Sequence, residues 1–541
     1  MLARRDFLKT AAAGAICAAS PAAAATPRPN IIVMMADDMG YSDLGCYGSE
    51  IRTPNIDSLA TGGVRFTHFH NTARCCPSRA SLLTGLYPHQ AGVGHMVNPR
   101  PLPGYSGDLN RTCVTIAEVL RAGGYQTMAS GKWHVTPVTE SKHNWPLQRG
   151  FEHYFGIIHG SASYYQPPML VRDNEKIAAE GDDFYLTDKI GENAAAYLTA
   201  AARKADPFFL YVPFTSPHWP LHAFESDIAR YKGRYAKGWD ALRAERHARM
   251  IKMGIVDKQW GLTPRDPDVP AWEHAKDKEW QQRRMEVYAA QIDRMDQNVG
   301  KILQALRASG QEENTLILFL ADNGGCAEDQ KPGVQTYSIP KTTRDGRPVQ
   351  SGNVPGLMPG GDETFQSYGV GWANASNTPF RLYKHWVHEG GISTPLIARW
   401  PKGITRKNAI THEPGHLIDL MATCVDLSGV AYPGQFAGNT IPAMEGRSLA
   451  PAFAGKRIVR EDGIYWEHEG NRAVLDGKWK LVSRFPGRWE LYDLEADRSE
   501  LHDLATQDAA RVTRMSAMYD GWAKRANVVP WDELPKASNA Q

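Results

Sequence analysis

NTARCCPSRASLLTG, residues 71–85, sets two cysteines side by side, Cys75 and Cys76, ahead of a proline, a serine and Arg79. Neighbouring thiols can hardly bridge each other, because a disulfide holds its α-carbons well apart. Pro77 suits the first turn of a helix, and SRASLLTG continues that helix to Gly85. A helix N-terminus offers free N–H groups to an anion, and Arg79 adds a bidentate donor for a tetrahedral oxyanion. Residue 75 would thus sit above an anion pocket. The plain alternative is a pair of buried structural thiols.

Four other stretches carry groups of the matching kind. Asp37 and Asp38 follow NIIVMM (30–35), and Asp322 and Asn323 follow TLILFL (315–320). His218 follows PFFLYVPF (207–214), and Lys132 and His134 follow YQTMAS (125–130). Asp37, Asp38, Asp322 and Asn323 supply oxygen ligands only, the set a hard divalent cation takes, which favours calcium or magnesium over zinc. Such a cation would screen an anionic substrate and polarise an oxygen nucleophile. Lys132, Arg79 and a further lysine could stabilise charge on a transferring group, and the two histidines offer proton transfer near neutral pH. Taken singly, each cluster reads as an ordinary turn, a surface loop or a buried histidine.

The elements that must position these groups are legible too. The four apolar runs are too short for helices and rich in β-branched and aromatic residues, so they read as buried strands. Helical patterns lie between them, in IDSLATGG, in TIAEVLRAGG (115–124) and in MEVYAAQIDRMDQNVGKILQALRASG (285–310). Alternating strands and helices predict an α/β fold with a large, mainly parallel sheet sandwiched by helices. Ligands bind outside the carboxyl ends of such strands, and all four polar clusters would share that edge. From about residue 456, GIYWEHEGNRAVLDGKWKLVSRFPGRWELYDLEADRSE alternates apolar and polar residues across tight turns, which predicts a small antiparallel sheet with a helix near 508–526 packed on it. The segments 222–280 and 327–380 are long, and read as walls or lids of a cleft.

The 541 residues contain 61 Lys+Arg and 59 Asp+Glu. ARRDFLKTAAAGAICAASPAAAATP resembles a twin-arginine export signal over residues 1–25, implying a periplasmic or secreted protein. Cleavage there removes Arg4, Arg5, Lys9 and Asp6 and leaves the two signs balanced, with no basic footprint for nucleic acid. Cys17 has Ile16 where a lipid-anchor site wants a small residue, and no later stretch is apolar enough to span a membrane. Cys46, Cys75, Cys76, Cys113, Cys326 and Cys424 form no CxxC pair, so neither a disulfide scaffold nor a structural zinc site is expected.

C-x-P-S-R followed by A-S-L-L-T-G resembles the signature of the type I sulfatases of the alkaline phosphatase superfamily. The likeness extends through RPNIIVMMADDMGYSDLGCYG, TPNIDSLATGGVRFTHFH, SGKWH, RGFEHYFG, TSPHWP, ADNGG and KHWVHEGGISTPLIARWPKG, in that family's order. GWDALRAERHARMIKMG and LTPRDPDVPAW resemble its bacterial arylsulfatase branch. The resemblance implies a catalytic domain over 27–455 and a smaller one over 456–541. It further implies that Cys75 is oxidised to formylglycine by a formylglycine-generating enzyme, the hydrated aldehyde being the nucleophile. Pro77 and Arg79 stand two and four residues after Cys75, so Cys76 falls at the variable position and would pack as a small hydrophobe.

By the same resemblance, Asp37, Asp38, Asp322 and Asn323 with modified residue 75 hold Ca2+, with Mg2+ as the lesser alternative. Arg79 would hold the nucleophile, and Lys132 and Lys384 the sulfate oxygens. Lys384 stands five before the Glu of EGGISTP, with His385 and His388 close enough to exchange with it. His218 with Lys384 would assist departure of the alcohol, and His134 would take the proton that releases sulfate. The expected activity is hydrolysis of aryl or saccharide sulfate esters. The competing readings are a phosphonate monoester or phosphodiester hydrolase of the same superfamily, and a non-catalytic carbohydrate-binding relic. Tyr164, Tyr165 and Trp219 could line an aryl or sugar subsite or belong to the core. For His468 and Glu469 a structural role is expected over one at the cleft rim.

Overall fold

The computed structural model describes residues 28–139 and 141–536, so the export signal read at 1–25 lies outside the described residues. Its main sheet runs, edge to edge, Ala409–Thr411, Val64–His70, Ser393–Arg399, Thr315–Ala321, Asn30–Ala36, Phe208–Pro213, Gln126–Lys132, His153–Ile157, Leu170–Arg172 and Glu175–Lys176, with Gly415–His416 also pairing the Val64–His70 strand. The five strands from Thr315–Ala321 to His153–Ile157 are mutually parallel. The Ser393–Arg399 strand runs antiparallel to both neighbours, so the sheet is mixed.

Every residue of Asn30–Ala36 is buried, as a strand covered on both faces requires. Side chains alternate between faces. Ile32, Met34 and Ala36 pack under the helices Leu186–Ala201 and Lys278–Ala308, and Ile31, Val33 and Met35 under Cys75–Thr84, Ile116–Ala122 and Asp419–Ser428. The Ile116–Ala122 helix begins on a reciprocal cap, with Thr115 Oγ1 accepting from the Glu118 amide and the Glu118 carboxylate accepting from the Thr115 amide. The long helix starts at Lys278, seven residues before the apolar stripe does, because Trp280 and Arg284 are buried there with the guanidinium 4.3 Å from the indole ring.

The segment 222–280 is fastened to the body. Within it the Gly238–Met253 helix sends Arg246 inward, 2.6 Å from Asp43 and 2.9 Å from Glu50, with the guanidinium fully buried. The C-terminal sheet is Ile464–His468, Asn471–Asp476, Trp479–Ser483 and Glu490–Asp493, antiparallel throughout. The Ala509–Arg525 helix packs Met515, Tyr519 and Trp522 against it. Lys480 pairs with Glu389 and Glu500 at 2.8 Å, and Arg498 with Glu389 at 3.2 Å, a buried ionic seam joining this sheet to the main one. No helix among the described residues is long and apolar enough to cross a membrane.

Candidate active site

Because the central strands are parallel, their carboxyl ends deliver the polar clusters to one place. Lys132 closes its strand and donates to Asp37 Oδ2 at 2.6 Å. Asp38, in left-handed backbone (φ 63°), accepts from the Asn323 amide at 2.7 Å and lies 2.9 Å from Lys384 Nζ. Arg79 donates to Asp322 Oδ2 at 2.7 Å and to the Lys132 carbonyl at 3.0 Å. His218 Nε2 is 3.4 Å from Asp38 and 3.5 Å from Lys384 Nζ. Gly131 makes the approach of two strand ends possible, since a Cβ there would sit 1.9 Å from the Pro213 carbonyl oxygen.

Cys75 and Cys76 open the Cys75–Thr84 helix, which ends at Gly85 in left-handed conformation. Cys75, Cys76 and His134 bring their potential ligand atoms within 4.8 Å of one another. Cys76 is buried, and its sulfur lies 3.2 Å from His134 Nε2 and 3.7 Å from Met96. The neighbouring thiol therefore packs in the core and also touches the candidate proton carrier, a contact its packing role did not require.

The electrostatics separate the groups. Burial pushes Asp37 up against the pull of Lys132 and Arg79. Burial and the nearby Asp37 outweigh the Arg79 ion pair and push Asp322 up to about 7. For Asp38 the order reverses: burial raises it, but His218, Lys384 and the Asn323 amide together hold it below the usual range. The Cys76 thiol, with Lys132 and His134, draws the Cys75 thiol well down despite its burial. Burial lowers both His134 and His218 to about 4, so both are neutral at pH 7. His218 Nδ1 lies 2.6 Å from the Trp219 carbonyl and must carry the proton, which leaves Nε2 bare toward Lys384.

The donor set fits a hard cation on an observation independent of motif. Asp37 Oδ1 and Asn323 Oδ1 are buried with no hydrogen-bond partner, and the crowding that raises Asp37 and Asp322 is of the kind a divalent charge relieves. Of the three basic residues in KHWVHE, Lys384 enters the cluster, while His385 faces Glu469 at 2.9 Å and His388 lies 3.6 Å from Glu490.

Other residues join the site without having been singled out. Glu328 accepts from Arg74 at 2.7 Å and from the Trp219 indole at 3.2 Å, and Lys384, Arg74 and His218 overcome its burial to hold it well below the carboxylate range. Tyr337, 64% exposed, lies 4.9 Å from the His159 ring beside His134. Tyr164 belongs to the core: its hydroxyl donates to the Thr215 and His218 carbonyls and props the His218 loop from behind. Tyr165 packs on His222 and Tyr185 in the same wall, leaving Trp219 of the three aromatics at the site.

A family model described as Sulfatase matches residues 29–430, and one described as N-sulphoglucosamine sulphohydrolase, C-terminal, matches residues 380–519. An uncharacterized sulfatase of Schizosaccharomyces pombe is 32% identical over 490 residues, covering 85% of this chain and 86% of that one. The arylsulfatase of Klebsiella aerogenes is 32% identical over 473 residues, covering 82% and 96%. Among solved structures, that of Ps i-CgsB superposes with a TM-score of 0.67 at 25% identity, over 93% of this chain and 94% of that one.

Proposed function

The chain belongs to the sulfatase family, and from that premise we propose that it is an exported, arylsulfatase-type sulfuric ester hydrolase acting on aryl or saccharide sulfate monoesters. The observation that carries the reading is the meeting, at one edge of the sheet, of Cys75, three carboxylates, one amide and three buried cationic side chains. The Asp37, Asp38, Asp322 and Asn323 oxygens would hold Ca2+, which neutralises charge on the sulfate, and formylglycine made at Cys75 would supply a geminal diol as nucleophile.

The chain's own residues divide the remaining work. Lys132 and Lys384 are strong, buried donors for sulfate oxygens, where a low dielectric makes them count. Arg79, pinned to Asp322 and to the Lys132 carbonyl, is fixed in place to orient residue 75. Lys384 Nζ faces His218 Nε2 across 3.5 Å, a pair placed to pass a proton to the departing oxygen. His134, neutral and beside residue 75, is placed to take a proton there. Trp219 and the exposed Tyr337 offer faces to the leaving group. That Ps i-CgsB was solved in complex with k-i-k-neocarrahexaose supports a saccharide as the substrate class.

The test is kcat/KM of protein with residue 75 fully converted, on an aryl sulfate and on the matching aryl phosphonate monoester. The reading expects the sulfate to be favoured. A large phosphonate advantage, or no turnover of either, overturns it.

A further inference from the structure

Outside the sulfate site, the hairpin between Ile464–His468 and Asn471–Asp476 turns on Glu469 and Gly470, with φ of 52° and 79°. The turn places Glu469 at the hairpin tip, against the loop carrying His95 and the chain just after Lys384. His95 Nε2 is 2.7 Å and His468 Nε2 is 3.7 Å from Glu469 Oε1. His385 Nδ1 is 2.9 Å from the other carboxylate oxygen. His468 is fully buried, yet neither of its ring nitrogens has a hydrogen-bond partner, and His95 Nδ1 also lacks one. A buried imidazole with both nitrogens unpaired is costly, and nothing in the sulfate site accounts for it. Arg74 is already paired with Glu328 at 2.7 Å.

The geometry points to a second metal site, for Zn2+, held by His95, His468 and Glu469 with His385 hydrogen-bonded behind the carboxylate. Two imidazoles and one carboxylate suit zinc rather than calcium. Ligands about 2.0–2.1 Å from a tetrahedral zinc stand roughly 3.3 Å apart, and the 2.7 Å and 3.7 Å separations bracket that value. His385 supplies the outer hydrogen bond that ligating carboxylates carry. The ion would staple the C-terminal hairpin to the cleft wall, one residue from Lys384. This inference does not depend on the sulfatase reading.

The test titrates Zn2+ into the purified full-length protein, stripped with chelator and kept in excess Ca2+, against a chromogenic competitor, with Co2+ absorption as a second readout. We expect one equivalent, with a visible Co2+ band and no thiolate charge transfer. Binding should be lost in His468→Ala and in His95→Gln, weakened roughly 10–100-fold in His385→Ala, and unchanged in Cys76→Ser. Thermal melts check folding, and His95→Gln decides should His468→Ala unfold. The site is refuted by failure to bind, by an equivalent that survives both His468→Ala and His95→Gln, or by one that Cys76→Ser removes, which would place the ion at the thiols.

Discussion

In the proposed mechanism Lys384 is the residue on which the chemistry would turn most sharply, since it touches Asp38 and faces the bare Nε2 of His218. Replacing it by methionine keeps the bulk and removes the charge. Loss of one preorganised donor of this kind costs about 10²–10³ in kcat, and steady-state kinetics on an aryl sulfate should show that drop with little change in KM. Tyr337→Ala should do the opposite, because this ring is exposed beside the site and its ring contact is with His159: KM should rise severalfold while kcat holds. Most of the site was readable because its groups stand at the ends of apolar runs. Glu328 was not, since its partner Arg74 lies 254 positions away and nothing in GGCAEDQ marks one carboxylate over its neighbour. His95 and Glu469 are 374 positions apart and fail the same way. Choosing Lys384 over His385 rested on a resemblance; local spacing left them interchangeable.

At the scale of elements, the Gly238–Met253 helix shows how a segment read as a cleft wall or lid is anchored to the frame. Its 16 residues carry a weak apolar stripe, and Gly, Pro and charge on either side gave the segment the look of a cleft wall. The decisive group is polar: Arg246 is buried between Asp43 and Glu50, which sit in the loop after the first strand. Arg246→Ala leaves those carboxylates buried without their cation, and breaking such a pair costs about 3–5 kcal/mol. Denaturant unfolding should register a loss of that size, and Arg246→Lys should recover only part of it because one ammonium cannot serve both acids. A periodicity search overlooks an anchor of this type. It also starts the long helix late, at the first stripe residue instead of Lys278, because the opening turns bury Trp280 and Arg284 and not a run of aliphatics.

For the molecule as a whole, the parallel strand core was legible because runs such as NIIVMM admit no solvent face, and parallel order then forces the carboxyl ends together. The antiparallel entry of Ser393–Arg399 and the buried seam of Glu389, Lys480, Arg498 and Glu500 were not, since both are set by how distant segments dock. Buried neutral histidines give the whole fold a pH dependence. His222 is fully buried, with Nε2 2.6 Å from the Thr364 carbonyl and Nδ1 accepting from the Tyr164 amide, and burial lowers it to about 4. Its folded value is depressed below the unfolded one of about 6.5, so its stabilisation is complete above pH 6.5 and is lost as pH falls toward 4. The slope is at most about 1.4 kcal/mol per pH unit. In His222→Gln the fall in Tm between neutral pH and pH 5 should be shallower than in the parent protein. Equal slopes would remove His222 from the account.

The central claim is that residue 75 is the nucleophile and becomes one by oxidation. Protein co-expressed with a formylglycine-generating enzyme, or taken from its own host, should be cleaved after Arg74 and Arg79 and the Cys75–Arg79 peptide weighed and fragmented. The account predicts that CH2SH is replaced by an aldehyde at residue 75 while Cys76 keeps its thiol. Two intact thiols in protein that still turns over an aryl sulfate would contradict it.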